Sequence, residues 1–87
     1  MFLHLGADVV VPLRDVIAIT DFKSGKSGIN KEFLNKMQDD KKIVDISENN
    51  GKSFIITNKK IYLSAISSLT LKKRANSFIK ENSLIGV

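Results

Sequence analysis

The longest β-prone stretch of this 87-residue chain cannot run unbroken through the interior of a sheet. Residues 9–22, VVVPLRDVIAITDF, carry β-branched side chains on both sides of Pro12. Proline has no N–H to donate to a neighbouring strand, so within sheets it is confined to bulges, bends and edges. We therefore expect a bulge, a bend or an edge position at Pro12, with the better strand beginning at Val16.

The other strands are short and separated by turn residues. Runs at 2–5, 42–47, 53–57 and 61–66 are apolar and β-prone. Asn50-Gly51 lies between two of them, and this dipeptide is the strongest short-range hairpin signal because both residues tolerate positive φ angles. The last three strands are therefore predicted to form an antiparallel meander.

Two stretches have the spacing of helices. Residues 29–40 place Ile29, Phe33 and Met37 four apart, and a loop of glycines and serines (23–28) precedes them. A final helix is expected after Ser67 or Ser68, whose hydroxyl can cap it. On a helical wheel its buried stripe is Leu71, Ala75, Phe78 and Ile79.

These elements give the order ββαβββα in a single domain over 1–87. Strands followed by helices in this proportion predict an α+β fold, an antiparallel sheet with two helices packed on it. The runs VVV (9–11) and FIIT (54–57) are too apolar to be left as open edges in water. We therefore expect a homo-oligomer that pairs through strand edges.

Composition excludes several classes of protein. There is no cysteine, so disulfides, thiolate metal sites and cysteine nucleophiles are absent. No apolar run approaches the roughly 18 residues of a membrane span. The apolar N-terminus has no basic leader and contains Asp8, so it does not read as a signal peptide. A cytoplasmic protein is expected.

No motif of catalysis is complete. Gly25-Lys26-Ser27 and Gly51-Lys52-Ser53 match the end of a phosphate-binding loop, but Thr20 and Ile46 stand where its first glycine is required. His4 is the only histidine, too few for a histidine-rich metal site. We expect no enzyme, no metal and no cofactor.

Positive charge is concentrated in the second half of the chain. Residues 1–51 carry seven Lys or Arg against eight Asp or Glu, whereas residues 52–87 carry seven against Glu81 alone. Such an imbalance favours an anionic partner. In the final helix Lys72, Lys73 and Arg74 fit DNA phosphates, and from the helix alone a merely solvated face fits equally well.

Several strings resemble the RemA/RemB family of bacterial extracellular matrix regulators. They are FLHLGADVVVPLRDVIAITDF at the start, with HLG and RDVIAI, and IYLSAISSLTLKKR near the end. The resemblance covers roughly residues 1–80. It implies a DNA-binding regulator of biofilm-matrix genes whose relatives assemble into rings of dimers with basic residues facing DNA.

The resemblance also implies which residues contact DNA. The arginine that opens the family's second strand corresponds to Arg14, and its arginine-rich turn corresponds to residues 49–52. Asn49 and Asn50 stand at two arginine positions of that turn, which leaves Lys52 as its cation. The expected contacts are therefore those two cations and three in the last helix: Arg14, Lys52, Lys72, Lys73 and Arg74.

Two functions remain open from sequence. In the first, an oligomer binds double-stranded DNA through its phosphate backbone and regulates matrix genes. In the second, the chain is a non-enzymatic structural or protein-interaction module that binds an acidic protein or a RemA-like relative, and its lysines serve solubility.

Overall fold

Two sheets and two helices make up the part of the chain that the computed structural model describes, residues 1–23, 31–40 and 42–86. Their class is α+β, as predicted, and the order of elements is that predicted with residues 9–22 divided between two strands. In chain order the elements are β1 (Phe2–Gly6), β2 (Val9–Pro12), a 3-10 turn (Leu13–Asp15), β3 (Val16–Asp21), α1 (Lys31–Asp39), β4 (Ile43–Asp45), β5 (Ser53–Thr57), β6 (Ile61–Ser64) and α2 (Ser68–Gly86).

The chain leaves the first sheet at Pro12. This sheet is the antiparallel hairpin of β1 and β2, and Pro12 is the last residue of β2. The 3-10 turn then redirects the chain, so that β3 begins at Val16 in the second sheet. The predicted bend at Pro12 is confirmed, and it divides one β-prone stretch between two sheets.

The second sheet has four strands in the order β3-β5-β6-β4. β5 pairs antiparallel with both β3 and β6, but β4 pairs parallel with β6, from Ile43 opposite Ile61 to Asp45 opposite Leu63. The predicted antiparallel meander is therefore wrong for its first pair of strands, because β4 pairs with β6 and not with β5. The expectation that FIIT forms an edge is also wrong, because β5 lies inside the sheet and is largely buried.

The predicted Asn50-Gly51 hairpin is wrong because β4 and β5 are not neighbours. β6 lies between them, so residues 46–52 must cross two strand spacings, about 10 Å, at the end of β6. The loop pairs with β6 as it crosses: Ile46 N–H donates to the Leu63 carbonyl (3.0 Å) and Lys52 N–H to the Ser64 carbonyl (2.8 Å). Positive φ angles occur at Glu48 (54°) and Asn49 (64°) instead.

Two buried serines hold the sheets together. Ser64, fully buried in β6, donates its hydroxyl to the Leu5 carbonyl of β1 at 2.6 Å and accepts the Ile66 N–H at 3.0 Å. Ser53 of β5 donates its hydroxyl to the Ile66 carbonyl at 2.7 Å. The hairpin, the central strands and the segment leading to α2 are therefore joined at one place.

α2 packs on the core through the first two residues of the predicted stripe. Ser67 caps it, accepting the Thr70 N–H at 3.2 Å, and Leu71 and Ala75 are buried. The side chains of Phe78 and Ile79 lie outside the described residues. The core beneath the helix is a cluster from the two sheets and the helix itself: Leu3, Leu5, Val11, Ile55 and Leu71.

The described residues of α1, Lys31–Asp39, lie within the predicted helix 29–40. Met37 in it is half-buried, as a residue on the apolar stripe should be. The predicted loop at 23–28 lies outside the described residues beyond Lys23, and so do Ile29 and the side chain of Phe33.

Gly51 allows the crossing loop to approach β6 closely. A Cβ at this position would lie 2.5 Å from Leu63 Cδ1 and 2.8 Å from its Cγ, far inside van der Waals contact. Gly6 alone among the described glycines has a positive φ (98°), so a steric limit and not backbone freedom selects glycine at 51.

We expect Gly51→Ala to destabilise the protein by about 1–3 kcal/mol, the usual cost of overpacking. The measurement is urea unfolding followed by circular dichroism. Leu63→Ala removes the clashing atoms, so in that background the same substitution should be neutral, or stabilising by about 0.4–1 kcal/mol through the unfolded chain. An equal cost of Gly51→Ala in both backgrounds would contradict the steric explanation.

Candidate nucleic-acid interface

Three consecutive cations near the start of α2 lie on its outer side. Lys72, Lys73 and Arg74 are all exposed, between the buried Leu71 and Ala75. The Arg74 guanidinium donates a long hydrogen bond, 3.4 Å from Nη1, to the carbonyl oxygen of His4 in β1. The helix surface is therefore continuous with the hairpin strand beside it, and Arg74 covers one of that strand's acceptors.

Arg14 and Arg74 flank one exposed apolar surface around Phe2. Phe2 is 55% exposed and lies between two shallow grooves. One groove contains Arg14 and runs to α2 at Ala75, and the other contains Arg74 and His4. The structure thus places Arg14 and Arg74, sixty residues apart in sequence, on either side of Phe2.

Lys52 does not join them. It immediately precedes β5, where Ser53 pairs with Asp21, while the turn carrying Arg14 leads into Val16, which pairs with Thr57 at the other end of β5. The five residues of β5 span about 16 Å at 3.3 Å per residue. Arg14 and Lys52 are therefore exposed at opposite ends of the four-stranded sheet.

The end of the sheet that carries Lys52 is rich in carboxylates. Asp21 ends β3, Asp45 ends β4, and Glu48 lies in the loop that crosses β6; all three are exposed. Lys23 is the other described cation at this end. Asn49 and Asn50, where the family resemblance expects arginines, are exposed on the same loop. Phosphates would meet a mixed or negative surface here.

Asp45 is held in its ionised form by Ser47. One oxygen of its carboxylate, Oδ1, accepts both the Ser47 hydroxyl (2.5 Å) and the Ser47 N–H (2.8 Å). These two bonds, the hydroxyl first, lower the pKa of Asp45 below its usual value, since both favour the charged carboxylate. The carboxylate also fixes the start of the crossing loop.

Ser47→Ala should raise the pKa of Asp45 toward the ordinary value for aspartate, because the hydroxyl is the larger cause of the shift. The folded pKa is depressed, so the stabilisation from Asp45 is present above the unfolded-state pKa of about 3.9 and is lost as pH falls through the folded value. The measurement is an NMR titration of the Asp45 carboxyl carbon in both proteins. Ser83→Ala, a serine far along the chain, is the control, and an unchanged Asp45 titration in Ser47→Ala would contradict the assignment.

Features of other kinds of site are missing from the described residues. Within 1–23, 31–40 and 42–86 there is no group of three or more His, Cys, Asp or Glu able to hold a metal ion. A search of the same residues finds no helix that is both long and apolar enough to span a membrane.

Together the fold and this surface define a small α+β domain that exposes basic side chains around an apolar patch. Comparison with known proteins agrees. A model of the RemA-like family, described as extracellular matrix regulatory protein A-like, matches residues 2–75. Extracellular matrix regulatory protein B of Bacillus subtilis (strain 168) is 47% identical over 75 residues, which cover 86% of this chain and 90% of that protein. The chain belongs to the RemA-like family of extracellular matrix regulatory proteins.

Proposed function

We propose that this protein is a DNA-binding regulator of extracellular-matrix and biofilm gene expression, acting in the cytoplasm as a ring-like or dimeric oligomer. The observation that carries the proposal is the surface around Phe2 on which Arg14 and Arg74 are exposed, with Lys72 and Lys73 exposed beside Arg74 on α2. Membership of a family of matrix regulators indicates which process is regulated, and the positive charge of this surface favours DNA as the partner.

Contacts to the phosphate backbone suit these side chains better than reading of bases. Lysine offers a compact charge and arginine can bind two phosphate oxygens at once. The chain has only two arginines, the side chain that most often reads guanine by two hydrogen bonds. Recognition would then rest on the backbone and shape of DNA. The role is binding, with no catalytic step.

Oligomerisation would compensate for the weak DNA binding of a single subunit. A few exposed phosphate contacts bind loosely, but copies held together present the same contacts repeatedly along one DNA and raise the effective concentration of each. β3 offers an outer edge for a second copy, since it ends the four-stranded sheet. Ile17 in this strand is 68% exposed at a register shift opposite β5.

The affinity for duplex DNA is expected to fall steeply with salt. Each neutralised phosphate contributes about 0.9 to the slope of log affinity against log salt, so the four cations named above predict a slope of about −3 to −4 per subunit. The measurement is fluorescence anisotropy of a labelled duplex at several salt concentrations. Lys73→Glu/Arg74→Glu should weaken binding and flatten the slope, while Lys36→Glu on α1 serves as the control. A flat salt dependence, or no binding even at low salt, would contradict the proposal.

Ile17→Lys should convert the oligomer to a smaller species, because a charge on the edge strand opposes pairing with a second copy. The molecular mass is measured by sedimentation or light scattering. Leu69→Lys is the matched control, since Leu69 is also an exposed leucine-sized side chain (65%) but lies at the start of α2. The edge contact is wrong if both variants keep the wild-type mass, or if the control dissociates equally.

The second candidate, a protein-interaction module without DNA binding, is favoured by the apolar groove around Phe2. That groove is lined almost entirely by apolar side chains, with Arg14 at its margin: Met1, Phe2, Pro12, Leu13, Val16 and Ala75. An acidic protein or a RemA-like relative would be its partner. The salt titration separates the two functions, because only the first requires duplex binding at low salt.

A further inference from the structure

We propose that four cations across one end of the four-stranded sheet form a further phosphate-binding surface for a DNA duplex. They are Arg14, Lys42, Lys59 and Lys60, here called the sheet-end row. Three of the four lie outside the set expected from sequence. The inference rests on the proposed function, since it names where on the molecule that function would reside.

A backbone hydrogen bond joins Arg14 to the first lysines. The turn after β5 packs against the 3-10 turn, with Asn58 N–H donating to the Asp15 carbonyl at 3.1 Å. Asn58 precedes Lys59, and Asp15 follows Arg14, so the two turns carry their cations side by side. All three side chains are exposed.

Thr57 fixes the turn that carries the two lysines. Its buried hydroxyl accepts the Lys60 N–H at 2.9 Å and the Lys59 N–H at 3.3 Å, and donates to the Lys60 carbonyl at 2.6 Å. The Thr57 N–H donates to the same carbonyl at 2.9 Å. Because the backbone is already ordered, binding a phosphate here costs only the ordering of the side chains.

The parallel pairing of β4 brings in Lys42. Ile43 pairs with Ile61 at the start of both strands, and Ile61 N–H donates to the Lys42 carbonyl at 2.8 Å. Lys42 is therefore exposed beside Lys60.

The length of the row fits DNA. It crosses all four strands, three spacings of about 4.8 Å, or about 14 Å. A duplex carries one phosphate charge per about 1.7 Å of its axis, both strands counted, so a row of this length can lie against several phosphates. The carboxylates nearest the row are Asp15, half-buried, and Asp40, exposed two residues before Lys42. The four cations still exceed them, whereas carboxylates exceed cations at the Lys52 end.

The test compares double variants of equal charge in the full-length protein. Lys59→Gln/Lys60→Gln removes two members of the row, and Lys42→Gln/Lys60→Gln removes two from different strands. Lys23→Gln/Lys36→Gln removes the same charge elsewhere. Affinity for one short duplex is measured by fluorescence anisotropy over a range of salt, and thermal unfolding confirms that each variant is folded.

Both row variants should lose between about tenfold and a hundredfold in affinity at about 0.1 M salt, because counterion release contributes close to tenfold per contact there. Their salt slopes should fall by about 2. The control variant should lose less than about threefold, since its charges act only through a screened distance.

The outcomes separate this inference from the proposed function. Wild-type protein that binds no duplex overturns both. If the wild-type protein binds the duplex and the row variants keep its affinity and salt slope, the row is overturned and the proposed function stands. An equal loss in the control and row variants also overturns the row, since net charge and not position would then govern binding.

Discussion

The arrangement of the molecule depends on the hydroxyl of Ser64. It donates to the carbonyl of Leu5, a residue 59 positions earlier in the chain, and so joins the hairpin to the larger sheet in a place without water. A buried hydrogen bond of this kind contributes about 1 kcal/mol net, but leaving its acceptor unpaired costs about 1–3 kcal/mol. Because the same hydroxyl accepts the Ile66 N–H, it also sets where the chain turns toward α2. The position of Arg74 beside His4 follows from that turn.

Local signals in the sequence predicted the parts of the fold that local chemistry decides. Pro12 had to interrupt its β-prone stretch because it lacks an N–H, and Ser67 had to cap a helix whose buried stripe includes Leu71 and Ala75. These features depend on neighbours within a few residues. The family could be recognised for a related reason, since its strings are contiguous in the chain.

The antiparallel pairing of β5 with β6, which are consecutive strands, was predicted correctly, but the pairing of β4 could not be, because it depends on a strand that is not next in sequence. Asn50-Gly51 has a strong local preference for a tight hairpin, yet β6 lies between the strands that such a hairpin would join. Tertiary packing of β4 on β6 overrides that preference, and Gly51 is used instead for its missing Cβ. The arrangement of the candidate site could not be predicted for the same reason. Arg14 and Arg74 come together around Phe2, whereas Lys52 is separated from Arg14 by the length of β5, a distance that only the pairing reveals.

The unequal ends of the four-stranded sheet have a kinetic consequence. With Arg14, Lys42, Lys59 and Lys60 at one end and Asp21, Asp45 and Glu48 at the other, the sheet carries an electric dipole along its strands. In the field of a polyanion a dipole experiences a torque, so the domain would rotate during diffusion and arrive with its basic end forward. Orientation before contact raises the fraction of productive encounters, and therefore the association rate, at low ionic strength. In an assembly of many copies the individual dipoles would add or cancel according to symmetry, which makes the geometry of assembly a determinant of how quickly a polyanion is captured.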